Sequence, residues 1–205
     1  MIAETSDGTQ NGKEKSIMSA RKNFGAKPLT YPQPVFIIAT YGEDGTPDAM
    51  NAAWGGISEE NELTMCLSAG HKSTKNLLSR GAFTVSMADA EHVAACDYVG
   101  IVSANQVPDK LARAGFHTVP STLVDAPLIE ELAVAVECRV KSYDPESCRL
   151  VGEIVNVSVD ERALDENGQV DVARVRPITF DPFNNTYVAL GEVVGKAFSA
   201  GKALK

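Results

Sequence analysis

The chain has 205 residues, a formal net charge of −8 and a composition that is 44% hydrophobic and 22% charged. This length is typical of a single domain whose core is large enough to fold without disulfides or metals. The acidic balance disfavours nucleic acids and membrane lipids as partners, because both attract a positive protein surface. The N-terminus lacks the apolar segment of a secretory signal, and we therefore predict a cytoplasmic protein.

Residues 1–23 are polar and nearly free of large apolar side chains. Such a segment cannot bury enough surface to offset the entropy lost on ordering. We therefore predict a flexible arm over 1–23 and one folded domain over 24–205. Met1 and Met18 are both candidate starts of the natural chain.

Short apolar runs separated by turn residues predict strands in the first half of the domain. The dipeptide Asp44-Gly45 is typical of a hairpin turn, because glycine readily adopts a positive φ. Gly81 is expected to end a short helix in the same way. The predicted elements, in chain order, are strands 35–41, 48–54 and 62–69, helix 73–78 and strand 82–88.

The second half continues this alternation of strands with a few helices. Asp89 is expected to cap one helix and Gly115 to end another. The predicted elements are helices 90–98 and 109–114, strands 133–141, 149–159 and 187–190, and a final helix over 192–198. Strands joined mostly by turns favour a mainly β protein with added helices, built as an antiparallel barrel, rather than a doubly wound sheet.

The four cysteines form no C-x-x-C pair and have no histidine at metal-ligand spacing. Cys66 lies in an apolar run and Cys138 shares a strand face with valines, so both are expected to be buried structural residues. The three histidines are scattered singly, and no dinucleotide, P-loop or hydrolase motif is present. Metal-based and hydrolytic functions are therefore disfavoured.

Two segments indicate ligand binding. Segment 50–58 places small residues around Asn51 and Trp54, which would let a flat group approach the backbone; alternatively, it is an ordinary strand exit with Trp54 in the core. Segment 68–76 places hydroxyls and two lysines at a predicted helix start, which suits a phosphate, or else caps the helix. Together they predict a flat aromatic group tethered to a phosphate, as in FMN.

A series of segments, taken in order along the chain, resembles the flavin reductase-like, FMN-binding split-barrel family, and within it the flavoredoxin branch. The resemblance covers about residues 28–202. The segments that carry it are 34–41, 50–58, 71–76, 97–103, 109–110, 125–130, 136–138, 152–154, 181–184, 187–192 and 195–202.

The resemblance implies an antiparallel FMN-binding split β-barrel, assembled as a homodimer with FMN near the subunit interface. Lys110 and Phe183 would approach the flavin, although a solvated helix face and core packing are the respective alternatives. Ser103 and Asn105 are possible neighbours. The residues implied to line the isoalloxazine and ribityl region are Asn51, Ala52, Ala53, Trp54 and Ser58, and those implied to face the phosphate are Lys72, Ser73 and Thr74.

Three functions are compatible with this site. The first is an NAD(P)H:flavin oxidoreductase that passes electrons from NADH or NADPH through bound FMN, with no conventional catalytic side chain. The second is a flavoredoxin-type FMN electron carrier that exchanges electrons with a redox partner and has no nicotinamide activity of its own. The third is a split-barrel dimer that has lost the flavin.

Overall fold

The computed structural model describes residues 20–204. The predicted arm over 1–23 therefore lies largely outside the described residues, as do Met1 and Met18, and residues 20–23 are exposed and without regular structure. The strands are β1 (Gln33–Pro34), β2 (Phe36–Tyr41), β3 (Pro47–Ala52), β4 (Gly55–Glu59), β5 (Glu62–Cys66), β6 (Ala82–Met87), β7 (Thr118–Pro120), β8 (Pro127–Ile129), β9 (Val134–Asp144), β10 (Arg149–Val159), β11 (Ile178–Asp181) and β12 (Thr186–Ala189). The helices are α1 (Lys72–Arg80), α2 (Val93–Ile101), α3 (Lys110–Ala114) and α4 (Val172–Val175), with 3-10 turns at Glu161–Ala163 and Ala200–Leu204.

Seven of these strands form one antiparallel sheet in the order β3-β2-β6-β9-β10-β5-β4. A second sheet has the order β1-β11-β12, and β7 pairs with β8. The prediction of a mainly β protein with added helices is confirmed. The sequence alternates short strands with turns, and this explains the antiparallel sheet, because two strands joined by a tight hairpin turn must be antiparallel.

Strand β2 begins with four apolar residues, Phe36–Ala39, which are buried on both faces of the sheet. Ile37 packs with residues of α2 and α3 in one core cluster, whereas Ile38 faces a second cluster inside the curled sheet with Phe83. Burying each such side chain contributes roughly 1.5–3 kcal/mol. The first cluster fastens α2 and α3 to the outside of the sheet, next to the end of β3.

Helix α1 ends where glycine predicts it, with Gly81 at φ 70° donating its N–H to Leu77 O. Helix α2 begins at Val93, three residues later than predicted. The cause is Asp89, whose carboxylate accepts hydrogen bonds from the backbone N–H groups of Glu91 and His92 and holds a turn ahead of the helix.

One strand was not predicted, and two predictions about local structure are wrong. Residues 55–59 form an edge strand, since pairing with β5 outweighs the low strand propensity of two glycines. The final helix over 192–198 is replaced by an extended segment and a turn, because Val193, Val194 and Gly195 are poor helix formers and no core covers them. Cys66 is exposed, because it ends β5 at the rim of the sheet.

The cysteines should therefore differ in reactivity. Burial, reinforced by the nearby carboxylates of Asp89 and Glu137 respectively, raises the pKa values of Cys96 and Cys138 to about 12. Because the thiolate is the reactive form, we expect a thiol-specific disulfide reagent at pH 8 to modify Cys66 first, Cys148 more slowly, and the buried pair only after unfolding. Four equal rates in the native protein would contradict this, and Cys66→Ser should remove only the fastest phase.

Candidate functional site

A cavity of about 250 Å³ lies where β3, the start of α1 and the segment joining α2 to α3 meet. Its walls combine residues of β3 and of the start of α1 with residues 99–104. Five residues of the sequence analysis line it: Asn51, Lys72, Ser73, Lys110 and Ser103. The structure therefore brings together side chains that lie far apart in the sequence.

One wall of this cavity is held by a buried ion pair. Asp48 has no solvent exposure, and its Oδ1 lies 2.9 Å from Nζ of Lys110, which is 3% exposed. Ser73 donates its hydroxyl to Asp48 Oδ2 at 2.6 Å. Lys110 also donates to the carbonyl oxygens of Val99, at 3.3 Å, and Val102, at 3.1 Å. This network joins β3, α1, α2 and α3.

The sequence analysis left open that Lys110 lies on a solvent-exposed face of its helix. That alternative is wrong, because the ammonium is buried and has three oxygen atoms around it. Since one ion pair and two hydrogen bonds to carbonyl oxygens surround the ammonium, the side chain acts first as a structural cross-link in the cavity wall. A direct approach of Lys110 to a flavin stays a prediction.

The polar end of the cavity is the beginning of α1. The N-cap residue His71 makes no side-chain hydrogen bond to the first turn, and that turn contains no acidic residue. Lys72 and Ser73 line the cavity at this point. Free N–H groups and the helix dipole favour an anion at such a helix start, and a lysine adds a full charge. This end of the cavity suits a phosphate group.

A second cavity, of about 270 Å³, adjoins the first and is more apolar. Asn51, Gly100 and Ile101 line both cavities. A Cβ atom on Gly100 would lie 2.7 Å from Cβ of Asn51, so only glycine lets α2 approach β3 this closely. The second cavity is completed by Ala53, Asp97, Phe180 and Tyr187.

Tyr187 supplies a polar group at the apolar end. Its hydroxyl donates to Asp97 Oδ1 at 2.7 Å, and burial together with this carboxylate raises the pKa of Tyr187 to about 12. Asn51 donates its amide to Cys96 O at 3.3 Å. The tyrosine therefore remains a neutral hydroxyl at physiological pH.

Sequence reasoning did not select Asp97, Gly100, Phe180 or Tyr187 as site residues, although all but Phe180 lie in segments that carry the family resemblance. No local sequence pattern marks these residues, because β12 and α2 come to lie beside Asn51 only when the chain folds. No local spacing pairs residue 51 with residue 187.

Two residues predicted to line the flavin region lie on a different face. Trp54 and Ser58 border an open groove of about 760 Å³ along β4, and Ser58 shares a 2.7 Å hydrogen bond with Thr64. Trp54 is 57% exposed, so the alternative that it fills the core is wrong. Their contact with a flavin stays a prediction.

Three further predicted residues do not line the paired cavities. Ala52 belongs to the core, and Thr74 is fully buried, with an Oγ1 that has no hydrogen-bond partner among the described residues. Phe183 is partly exposed rather than packed in the core, and its ring stacks on Tyr31 at a centroid distance of 5.3 Å. Their proposed roles remain untested predictions.

The other histidines are occupied elsewhere. His92 Nδ1 lies 2.9 Å from Asp89, and His117 Nδ1 lies 2.6 Å from Glu131, carboxylate partners that the sequence analysis did not predict. Within residues 20–204, no group of three or more His, Cys, Asp or Glu side chains could hold a metal ion. In the same range, no helix is long and apolar enough to cross a membrane.

Solved structures share this fold. Flavoredoxin of Desulfovibrio vulgaris (Miyazaki F) matches with a TM-score of 0.84 and 37% identity, over 89% of this chain and 100% of that chain. A flavoredoxin from Methanosarcina acetivorans matches with a TM-score of 0.80 and 24% identity, over 91% and 100%. An FMN-binding domain of a flavin reductases-like enzyme from Shewanella baltica OS155 matches with a TM-score of 0.71 and 17% identity, over 80% and 89%.

These likenesses confirm the predicted antiparallel split β-barrel with added helices. The family described as "Flavin reductase like domain" matches residues 29–180, which run from before β1 into β11 and include most of the walls of both cavities. The chain therefore belongs to the flavin reductase-like family.

Proposed function

We propose that the chain is an FMN-binding oxidoreductase whose flavin occupies the two adjoining cavities. The observation that carries this proposal is their shared wall at Asn51, Gly100 and Ile101, which joins an anion-favouring end to an apolar end. A ligand with a phosphate at one end and a flat ring at the other matches that order. The FMN-binding domain from Shewanella baltica, which shares this fold, supports the same cofactor.

The residues present fit this group. Lys72, Ser73 and the first turn of α1 would hold the phosphate, whereas Ala53, Phe180 and Tyr187 would border the ring. When bound there, FMN would supply hydride transfer and one- or two-electron redox chemistry. The chain's own task is then to bind, orient and shield the group. The neutral hydroxyl of Tyr187 donates its hydrogen to Asp97 and can still accept a hydrogen bond without carrying charge.

The preferred activity is that of an NAD(P)H:flavin oxidoreductase, in which NADH or NADPH reduces the bound flavin and electrons pass to an acceptor. The specific alternative is a flavoredoxin-type electron carrier, supported by 37% identity to the Desulfovibrio vulgaris flavoredoxin. In that case a redox partner protein, and not a nicotinamide, would supply the electrons. A cytoplasmic location, and the lack of nucleic acid and membrane partners, remain predictions from composition.

Two measurements test this proposal. Purified protein should be yellow, or should become so after incubation with FMN and removal of the excess; protein that takes up no FMN would refute both flavin functions and favour the flavin-free dimer. Under anaerobic conditions, NADH or NADPH should bleach the flavin absorbance near 450 nm, by about the amount that dithionite does. If dithionite bleaches the flavin absorbance but neither nicotinamide does, the oxidoreductase function is refuted and the electron carrier function is supported.

Lys72→Ala tests the position of the phosphate. A hydrogen bond to a charged group contributes about 1.5–3 kcal/mol, so we expect the dissociation constant of FMN to rise about 10–100-fold. Lys75→Ala is the matched control, because Lys75 is exposed on the same helix and lies outside the cavity lining. Fluorescence titration of apoprotein with FMN and with riboflavin measures the effect. If Lys72→Ala loses the same affinity for FMN and for riboflavin, or loses no affinity for FMN, then the phosphate does not bind beside Lys72.

The resemblance also implies a homodimer with FMN near the interface, and we retain this as part of the proposal. Ile101, at the junction of the two cavities, is largely exposed in the single chain, which supports coverage by a second copy.

A further inference from the structure

The apolar cavity that would receive the flavin ring has one charged side chain among its described lining residues. That side chain is Asp97 of α2, and the other members of the lining are neutral, namely Asn51, Ala53, Gly100, Ile101, Phe180 and Tyr187. Asp97 takes part in none of the ion pairs found within residues 20–204. In the described part of the chain, the negative charge at the ring end is therefore not neutralised by a paired cation.

Tyr187 holds this carboxylate in place. Its hydroxyl donates to Asp97 Oδ1 at 2.7 Å, which joins β12 to α2 at the wall of the cavity, and both side chains are partly buried. Burial together with this carboxylate raises the pKa of Tyr187 to about 12. Because the proton of the hydrogen bond stays on the phenol, the negative charge of the pair lies on Asp97 at neutral pH.

The lysines of the paired cavities are committed elsewhere. Lys110 is neutralised by Asp48, whose Oδ1 lies 2.9 Å from its ammonium in the wall of the first cavity. Lys72 lies at the α1 end, where the phosphate would bind, and it does not line the second cavity. A ring in the second cavity is thus bordered by a carboxylate and not by a lysine.

We propose that Asp97 lowers the reduction potential of the flavin bound in these cavities, an inference that rests on the proposed function. An oxidised flavin ring is neutral, and the uptake of a hydride, which brings two electrons and one proton, leaves it with one negative charge. The fixed carboxylate repels this new charge at short range. Asp97 therefore weakens the binding of reduced FMN by about 10-fold relative to oxidised FMN, which corresponds to about 30 mV for a two-electron couple.

Asp97→Asn tests this role, because it removes the charge and keeps an oxygen that can accept the hydrogen bond of Tyr187. We expect the midpoint potential of bound FMN to rise by about 30 mV, measured anaerobically by titration with dithionite beside a redox dye of known potential. The dissociation constant of oxidised FMN, whose ring is neutral, should stay close to the native value. A merely structural role of Asp97 would weaken the binding of both forms and leave the potential unchanged.

Two further variants separate the charge of Asp97 from other effects. Glu91→Gln removes one negative charge from an exposed residue just before α2 that lines neither cavity, so it should leave the potential unchanged. Asp97→Glu keeps the charge at the ring end and should hold the potential near the native value. Circular dichroism checks that each variant is folded. The native chain needs no variant, since its bound FMN should have a lower midpoint potential than free FMN.

Several results would contradict this role of Asp97. They are a native potential at or above that of free FMN, an Asp97→Asn potential that does not rise, and an equal rise in Asp97→Glu or in Glu91→Gln. If any of these is found while the chain binds FMN and Lys72→Ala weakens that binding, the role of Asp97 is refuted and the proposed function stands. A chain that takes up no FMN refutes both.

Discussion

Asp48→Ala is expected to lower the free energy of unfolding by about 3–5 kcal/mol, the cost of leaving a buried charge without its partner. The variant leaves the ammonium of Lys110, a residue that is 3% exposed, without its carboxylate partner. It also removes the group that accepts the hydrogen bond of the Ser73 hydroxyl. Urea denaturation followed by circular dichroism measures the loss.

The double variant Asp48→Ala with Lys110→Met separates charge from packing. Because it removes both charges, we expect it to be more stable than Asp48→Ala alone. Asp109→Ala serves as the control, since Asp109 pairs with Arg113 on the surface and should leave the denaturation midpoint nearly unchanged. A double variant less stable than Asp48→Ala would show that the hydrogen bonds of the ammonium to the carbonyl oxygens of Val99 and Val102, and not the ion pair, carry the stability of this wall.

Gly100→Ala is expected to destabilise the fold by about 1–3 kcal/mol, the usual cost of overpacking. In an unobstructed helix the same change would stabilise by about 0.5–1 kcal/mol, so steric contact reverses its sign here. The new Cβ would lie 2.7 Å from Cβ of Asn51, a backbone-proximal atom that cannot rotate away. Because this contact lies in the wall common to both cavities, FMN affinity should fall as well.

Thermal unfolding and FMN titration measure the two effects of Gly100→Ala. Gly56→Ala is the matched control, because the added methyl group there meets nothing within 4 Å. A Gly100→Ala protein that is more stable than the native chain and binds FMN normally would show that α2 can move away from β3 without cost.

The strongest sequence patterns predicted the frame of this fold. The apolar run of β2 and the alternating β9 and β10 were recognisable because their burial is regular along the strand. Strand β4 was not, because its stability comes from pairing with β5 and not from its own glycines. The last predicted helix failed for the related reason that no neighbour in the same chain covers its apolar side chains.

The site was predictable only in part, for a similar reason. Asn51, Lys72 and Ser73 belong to local motifs whose chemistry indicates a ligand, and they do meet in one cavity. Asp97 and Tyr187 become neighbours only after β12 folds against α2, so no single-sequence spacing could select them. Lys110 was selected, but its partner Asp48 was not, because an isolated aspartate in a strand gives no sign of an ion pair 62 residues away.

The pairing of Lys110 with Asp48 has a consequence for ionic strength. Since the buried carboxylate neutralises that ammonium, the two residues give the cavity its shape without adding net charge to it. Attraction for an anion then comes from Lys72 and the α1 terminus, both at the polar end of the cavity. Added salt should weaken a phosphate ligand only modestly, as for roughly one unpaired cation, and the acidic exterior should repel polyanions while this local end still binds a single phosphate.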